Sequence, residues 1–161
     1  MARTLAEGAL AICREHGMGH IGPQTFGICA LIETDVDARQ RLLAEGEAQL
    51  AQGCVSHNHI SLRQFAIDVS LEIGDWQAAE HYCANIHAYT ADEPLPLSDF
   101  IIARGLALAR FGRGERGADL YAALVGLRKA AADAELNSAL PGIENALAGS
   151  GAPPPAAAQE R

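Results

Sequence analysis

Apolar residues recur along this chain at intervals of three and four, which is the period of an amphipathic α-helix. One segment shows the pattern well, because its apolar residues fall at i, i+3, i+4, i+7 and i+11: Leu62, Phe65, Ala66, Val69 and Ile73. Every other periodic segment has the same helical spacing. The pattern predicts an all-α protein of about seven or eight helices.

Glycines, prolines and capping residues indicate where these helices begin and end. The dipeptide Gly74-Asp75 is expected to end one helix and cap the next. Asp35 or Asp37 is expected to cap an earlier helix, and Ser98 a later one. Both prolines of residues 92–97 disfavour helix, so this segment is predicted to be a connector.

The predicted helices form pairs that repeat along the chain. The turns within three successive pairs fall near Asp35, Asp75 and Glu115, a period of about 40 residues that is typical of helix-pair solenoids. We therefore predict a short α-solenoid of antiparallel helix pairs over residues 1–148. Residues 149–161 are rich in glycine, proline and alanine and are expected to be a disordered tail.

The amino-acid composition argues against β folds and against nucleic acid as a partner. The chain has 32 alanines and 18 leucines but only 4 valines and 4 threonines, which argues against a β-sandwich or β-barrel. Its formal net charge is −8, and Lys129 is its one lysine. Such a surface has no cationic field to hold a phosphate backbone, so nucleic acid is not an expected partner.

The chain is expected to be cytoplasmic. Glu7, Arg14 and Glu15 interrupt any apolar core that a signal peptide would need. The longest charge-free stretch, residues 16–32, contains four glycines and a proline, so no membrane partner is expected. The four cysteines include no CxxC motif, which favours reduced, buried thiols.

Catalytic motifs are lacking from the sequence. It contains no GxxxxGK[ST], GxSxG or HExxH pattern, so a P-loop, a nucleophile elbow and a zinc-protease helix have no support. Glycines at 17, 19 and 22 and at 112, 114 and 117 match GxGxxG, but they lie between predicted helices and do not link a strand to a helix, as a nucleotide site requires. We expect a non-catalytic protein that uses no cofactor.

One group of residues has the chemistry of a metal site. The connectors between pairs should lie at one end of the stack, which would bring together His20, Cys54, His57 and His59. These residue types suit zinc, but their spacing matches no standard finger, and helix capping or packing would use them equally well. A rim of histidines would also respond to pH. A small-ligand or metal sensor is therefore the alternative function.

The sequence shows two resemblances to known families. Residues 74–79, with Leu71 before them, resemble the helix junction of a tetratricopeptide repeat, where a glycine, an aromatic residue and a small alanine let two helices cross closely. Residues 13–23, 43–59 and 74–105 are similar to the C-terminal helical repeats of bacterial signalling proteins that join a nucleotide-cyclase domain to a regulatory ATPase module. This similarity implies a regulatory or interaction segment.

The leading expectation is a protein–protein interaction or regulatory module whose concave helical surface binds a protein or peptide. The candidate binding residues are Arg63, Gln64, Asp68 and Arg104. A further interpretation treats the chain as a fragment of a longer repeat array, in which an uncovered first helix would self-associate.

Other conspicuous side chains have structural explanations. Trp76, Tyr82 and Tyr89 share a helical face and are expected to pack in the core. Arginines at positions 110, 113 and 116 cluster near a predicted turn, where neighbouring acids favour a solvated loop over a partner site.

Overall fold

A computed structural model describes residues 2–151, and this part of the chain is all-α, with no strand. Its eight α-helices are α1 Ala2–His16, α2 Gly22–Ile32, α3 Val36–Gln52, α4 His57–Ile73, α5 Trp76–Tyr89, α6 Pro96–Gly112, α7 Ala118–Asp133 and α8 Leu140–Ser150. A 3₁₀ turn, Asn137–Ala139, precedes α8. The prediction of an all-α protein with seven or eight helices is confirmed. None of the described helices is both long and apolar enough to cross a bilayer.

The last helix runs slightly further than predicted. α8 ends at Ser150, two residues inside the segment that the sequence assigns to a disordered tail. Residues 152–161, the rest of that segment, lie outside the described residues.

Two of the predicted helix junctions have the expected local geometry. Gly74 has a φ of 77°, a left-handed conformation that favours glycine and ends α4. The Asp75 carboxylate then accepts a hydrogen bond of 2.9 Å from the backbone N–H of Ala78, which caps α5. Asp35 caps α3 in the same way through Ala38, at 2.7 Å.

The helices pack on their neighbours in chain order. Each contacts the next, and three further contacts join α2 to α4, α4 to α6 and α6 to α8. Within residues 2–151, the backbones of α1, α3 and α5 lie close only to helices adjacent in the chain, although Arg14 on α1 and Glu45 on α3 also form an ion pair. The even-numbered helices therefore form a continuous row, with the odd-numbered helices on their flanks.

Fully buried aliphatic side chains hold this row together. Leu62 and Ile67 of α4, Ile86 of α5, Leu124 of α7 and Ile143 of α8 each have 0% exposure. Burial of one such side chain contributes about 1.5–3 kcal/mol to folding. The core extends from α1 to α8 as three neighbouring clusters rather than one central one.

The first helix buries a different stripe from the predicted one. The apolar spacing of residues 3–16 predicts a buried face of Leu5, Ala9, Ile12 and Cys13, yet Leu5 and Ile12 are 67% and 60% exposed. The buried residues are Ala6, Leu10 and Cys13, so of these only Cys13 was predicted. Both faces are apolar, and α2, the one described helix whose backbone lies close to α1, covers only one of them.

The sixth helix begins earlier than expected. Pro96 lies in its first turn, after Leu95 in an extended conformation, so the predicted connector 92–97 ends two residues too late. Proline suits this position because the first turn of a helix leaves its N–H groups unpaired in any case. Ser98 does not cap α6 but is fully buried within its first turn.

The predicted aromatic core residues are only partly buried. Trp76 is half-buried and lies against Gly112 of α6, where an added methyl group would fall 2.6 Å from the indole ring. Tyr82 is half-buried between the clusters of α1–α4 and α4–α6. Tyr89 is 41% exposed, so its assignment to the core is wrong. The ring of His59 stacks on the ring of Tyr89, with centroids 4.2 Å apart.

Candidate functional site

A groove of about 710 Å³ runs across the row of even-numbered helices, and we call it the α4–α6 groove. Its lining comes from α2, α4, α6, the 3₁₀ turn and α8. The apolar part of the lining is made by Leu31, Phe65, Leu71, Phe100, Ile101, Leu108, Ala139, Pro141 and Gly142. The polar part is made by Gln64, Asp68, Glu72, Arg104, Ser138 and Asn145. This mixture of apolar surface and a few polar groups is typical of a binding site.

An ion pair joins the two central helices at the groove. Arg104 of α6 donates a hydrogen bond of 2.6 Å from Nη1 to Oδ1 of Asp68 on α4. The Arg104 side chain is 11% exposed and the Asp68 side chain 25%. Arg104 Nε is buried without a hydrogen-bond partner among residues 2–151. The pair is shielded enough from water for its geometry to be fixed by the protein.

A second ion pair lies one helical turn along α4. Glu72 accepts a hydrogen bond of 3.2 Å from Arg39 of α3, whose side chain is 8% exposed. Arg39 is held in turn by the backbone carbonyl of Glu33. Gln64, Asp68 and Glu72 follow one another at four-residue spacing, so α4 presents a polar row to the groove.

Three of the four binding residues expected from the sequence line this groove, namely Gln64, Asp68 and Arg104. Arg63 is not part of it. Its guanidinium forms two hydrogen bonds of 3.0 and 3.1 Å with the carboxylate of Glu47 on α3, and a third with the carbonyl of Asn85 on α5. Adjacent residues on a helix point about 100° apart, which explains why Arg63 and Gln64 face different neighbours.

Sequence reasoning did not identify several groove residues. Glu72 continues the four-residue spacing of Gln64 and Asp68, so this periodicity carried a signal for it. Phe100 and Asn145 had no such signal, because their place in the groove depends on how α6 and α8 pack against α4.

Two of the connectors, residues 17–21 and 53–56, lie against each other, and together with the first turn of α4 (residues 57–60) they form what we call the connector rim. The backbone N–H of Val55 donates a hydrogen bond of 3.0 Å to the carbonyl of Gly19. Asn58, with 0% exposure, accepts a hydrogen bond from the backbone of Gln24 and donates to the carbonyls of His20 and Val55. A buried amide with three partners makes this end a structural junction.

The rim histidines face different neighbours rather than one centre. The rings of His20 and His57 meet edge to face, with centroids 5.9 Å apart, whereas the ring of His59 stacks on Tyr89. Within residues 2–151, no group of three or more histidine, cysteine or acidic side chains is arranged to hold a metal ion. Of the four residues that the sequence groups together, His20, Cys54, His57 and His59, the rings of His20 and His57 contact each other, and the four do not form a group that could hold a metal ion.

The environment of His59 favours its neutral form. Its burial and the nearby Arg63 lower the pKa of the imidazole, while Glu47 opposes this effect. Its Nδ1 is buried without a hydrogen-bond partner in the part of the chain that the structure describes.

The cysteines have the environment of inert thiols. All four are free, and Cys13, Cys29 and Cys83 are buried, as the sequence predicts for these three. Burial raises the pKa of the Cys29 and Cys54 thiols, and it raises the pKa of Cys83 to about 11. Thiols with raised pKa values stay protonated at neutral pH and are poor nucleophiles.

The arginine cluster near residue 113 is engaged within the chain. Arg110 pairs with Glu115 and Asp119, and Arg113 pairs with Glu80 of α5. The guanidinium carbon of Arg116, the third arginine, lies 3.8 Å from the ring centre of Phe111. These contacts tie the α6–α7 turn to its surroundings.

No protein-family model, curated protein or solved structure matches this chain.

Proposed function

We propose that this protein is a short α-solenoid of the tetratricopeptide-like type and acts as an interaction module. The pattern of contacts between helices supports a solenoid, because each helix packs on the next in the chain and the even-numbered helices form a row. The repetition of the helix-pair turns near residues 35, 75 and 115 supports the same arrangement.

The proposed activity is the binding of a peptide segment of another protein in the α4–α6 groove. The observation that carries this proposal is the convergence of four helices and the 3₁₀ turn on one concave surface of about 710 Å³. Phe65, Phe100 and Leu108 offer apolar surface for partner side chains, and Gln64 and Asn145 offer hydrogen bonds to a main chain.

The module is proposed to be non-catalytic and regulatory. The resemblance of residues 13–23, 43–59 and 74–105 to repeats in cyclase and ATPase signalling proteins supports a role in a signalling system of that kind. A second component of that system is then the natural partner for the groove.

Site-specific photocrosslinking tests this proposal. A benzophenone amino acid replaces Gln64 in the groove or, as the matched control, the exposed Gln77 on α5. Each protein is irradiated in lysate of the source cells, and crosslinked products are identified by mass spectrometry. We expect a discrete protein adduct from position 64 and none of the same mass from position 77.

The yield of the adduct should also fall when the groove is altered. The exchange Phe100→Ala removes a half-buried ring from the groove wall and should reduce the crosslinked fraction at position 64 severalfold. Equal crosslinking from both positions, or none from position 64, would contradict a binding groove.

A further inference from the structure

The two ion pairs of the groove present their negative members outward. The Glu72 side chain is 56% exposed, whereas its partner Arg39 is 8% exposed. The Asp68 side chain is 25% exposed, whereas Arg104 is 11% exposed. A ligand that enters the groove therefore meets carboxylate oxygens before guanidinium groups.

Each carboxylate also keeps an oxygen atom that its arginine does not use. Arg104 bonds Oδ1 of Asp68, and Arg39 bonds Oε1 of Glu72. The two carboxylates lie one turn apart on α4, a rise of about 6 Å. Alternate side chains of an extended peptide are about 6.6 Å apart, so two of them match this spacing.

From these observations we infer that the groove takes an extended segment in which basic side chains alternate with apolar ones. The basic side chains contact Asp68 and Glu72 of α4, and the apolar ones, which point to the opposite side of an extended chain, lie on Phe100 of α6. The formal net charge of the chain, −8, attracts such a segment from a distance. This inference rests on the proposed function, since it names the chemistry of the groove's occupant.

Three fluorescein-labelled peptides of equal length test the inference by fluorescence anisotropy with the full chain. All three alternate leucine with a second residue, which is lysine in the probe peptide, glutamine in the neutral one and glutamate in the acidic one. We expect the lysine peptide to bind most tightly and the glutamate peptide least. The preference for lysine should decline as the salt concentration rises.

A matched pair of variants distinguishes the groove from the acidic surface as a whole. Glu72→Gln removes a groove carboxylate. Glu45→Gln removes one that is equally exposed, at 54%, and equally paired with one arginine, but lies on α3 outside the groove. Both variants change the net charge by one. Glu72→Gln should raise the Kd of the lysine peptide about three- to fivefold, and Glu45→Gln should leave it nearly unchanged.

The outcomes separate this inference from the proposed function. Equal or tighter binding of the neutral or acidic peptide overturns the inference and leaves a groove of other specificity. Equal weakening by both variants also overturns it, because the peptide is then held by general surface charge. If none of the three peptides binds while position 64 still crosslinks a partner, the inference fails and the interaction function stands.

Discussion

The α4–α6 groove and the connector rim share helix α4, yet they arrange their polar residues in different ways. In the groove, Gln64, Asp68 and Glu72 lie on one face of α4, and Arg104 joins them from α6. At the rim, the rings of His20 and His57 contact each other, whereas the ring of His59 stacks on Tyr89. Side chains four residues apart on one helix point to the same side of it. Side chains that merely lie at the same end of several helices are not constrained to point at one another.

The rim's strongest contribution is to stability. Asn58→Ala should lower the free energy of unfolding by about 2–4 kcal/mol, because it leaves the N–H of Gln24 and the carbonyl of His20 without their buried partner. Urea unfolding followed by circular dichroism measures this change. The adjacent variant His57→Ala, at an exposed position, should stay within about 0.5 kcal/mol of the wild type. Equal effects of the two variants would mean that Asn58 is not a structural junction.

The groove's ion pair should be less important for stability than for binding. Asp68→Asn should cost about 1–3 kcal/mol, since it leaves the largely buried Arg104 without its carboxylate. Glu47→Gln is the matched control for Asp68→Asn. It also removes the carboxylate of an ion pair, Arg63–Glu47, whose side chains have similar exposure, 13% and 30%, but which lies outside the groove.

The two ion-pair variants should then differ in binding. Both variants are expected to lower the free energy of unfolding by similar amounts in urea, but only Asp68→Asn should weaken binding of the lysine peptide in the anisotropy assay. A similar loss of peptide binding in Glu47→Gln would show that the measurement follows stability rather than the groove.

Much of the fold follows from local sequence, and less of the site does. Gly74-Asp75 and Asp35 specify their junctions through backbone conformation and capping, which a few residues determine. The face of α1 that is buried depends on which side α2 covers, so its apolar stripe is ambiguous in the sequence. Arg39 illustrates the limit for the site, because only the packing of α3 against α4 brings it to Glu72.

Acid should destabilise the protein partly through His59. Its folded-state pKa lies below the ordinary value of 6.5, so the unfolded state binds the proton more readily. Stability should therefore fall as the pH drops below about 7, and His59→Gln should remove part of this loss. Arg63, Glu47 and Tyr89 face His59 and are unchanged in this variant.

Unfolding measured between about pH 7.5 and 5 tests this dependence. The loss of stability between these two pH values should be smaller than the loss caused by Asn58→Ala. A steeper loss of stability in His59→Gln than in the wild type would show that protonation of His59 stabilises the fold.

We expect the histidines of the connector rim not to bind zinc tightly. We expect titration calorimetry with zinc to show no tight site, and the double change His57→Ala, His59→Ala to leave the heat of mixing unaltered. One zinc bound per chain, lost in the double variant, would instead support a sensor at the rim.

Amide chemical shifts distinguish the groove from the rim as the binding surface. Uniformly ¹⁵N-labelled protein is titrated with the alternating leucine–lysine peptide. We expect shifts that concentrate at groove positions such as Leu31, Gln64, Phe100 and Asn145, with Cys54 and His57 unaffected. Shifts that concentrate at Cys54 and His57, or that spread evenly over the surface, would contradict binding in the groove.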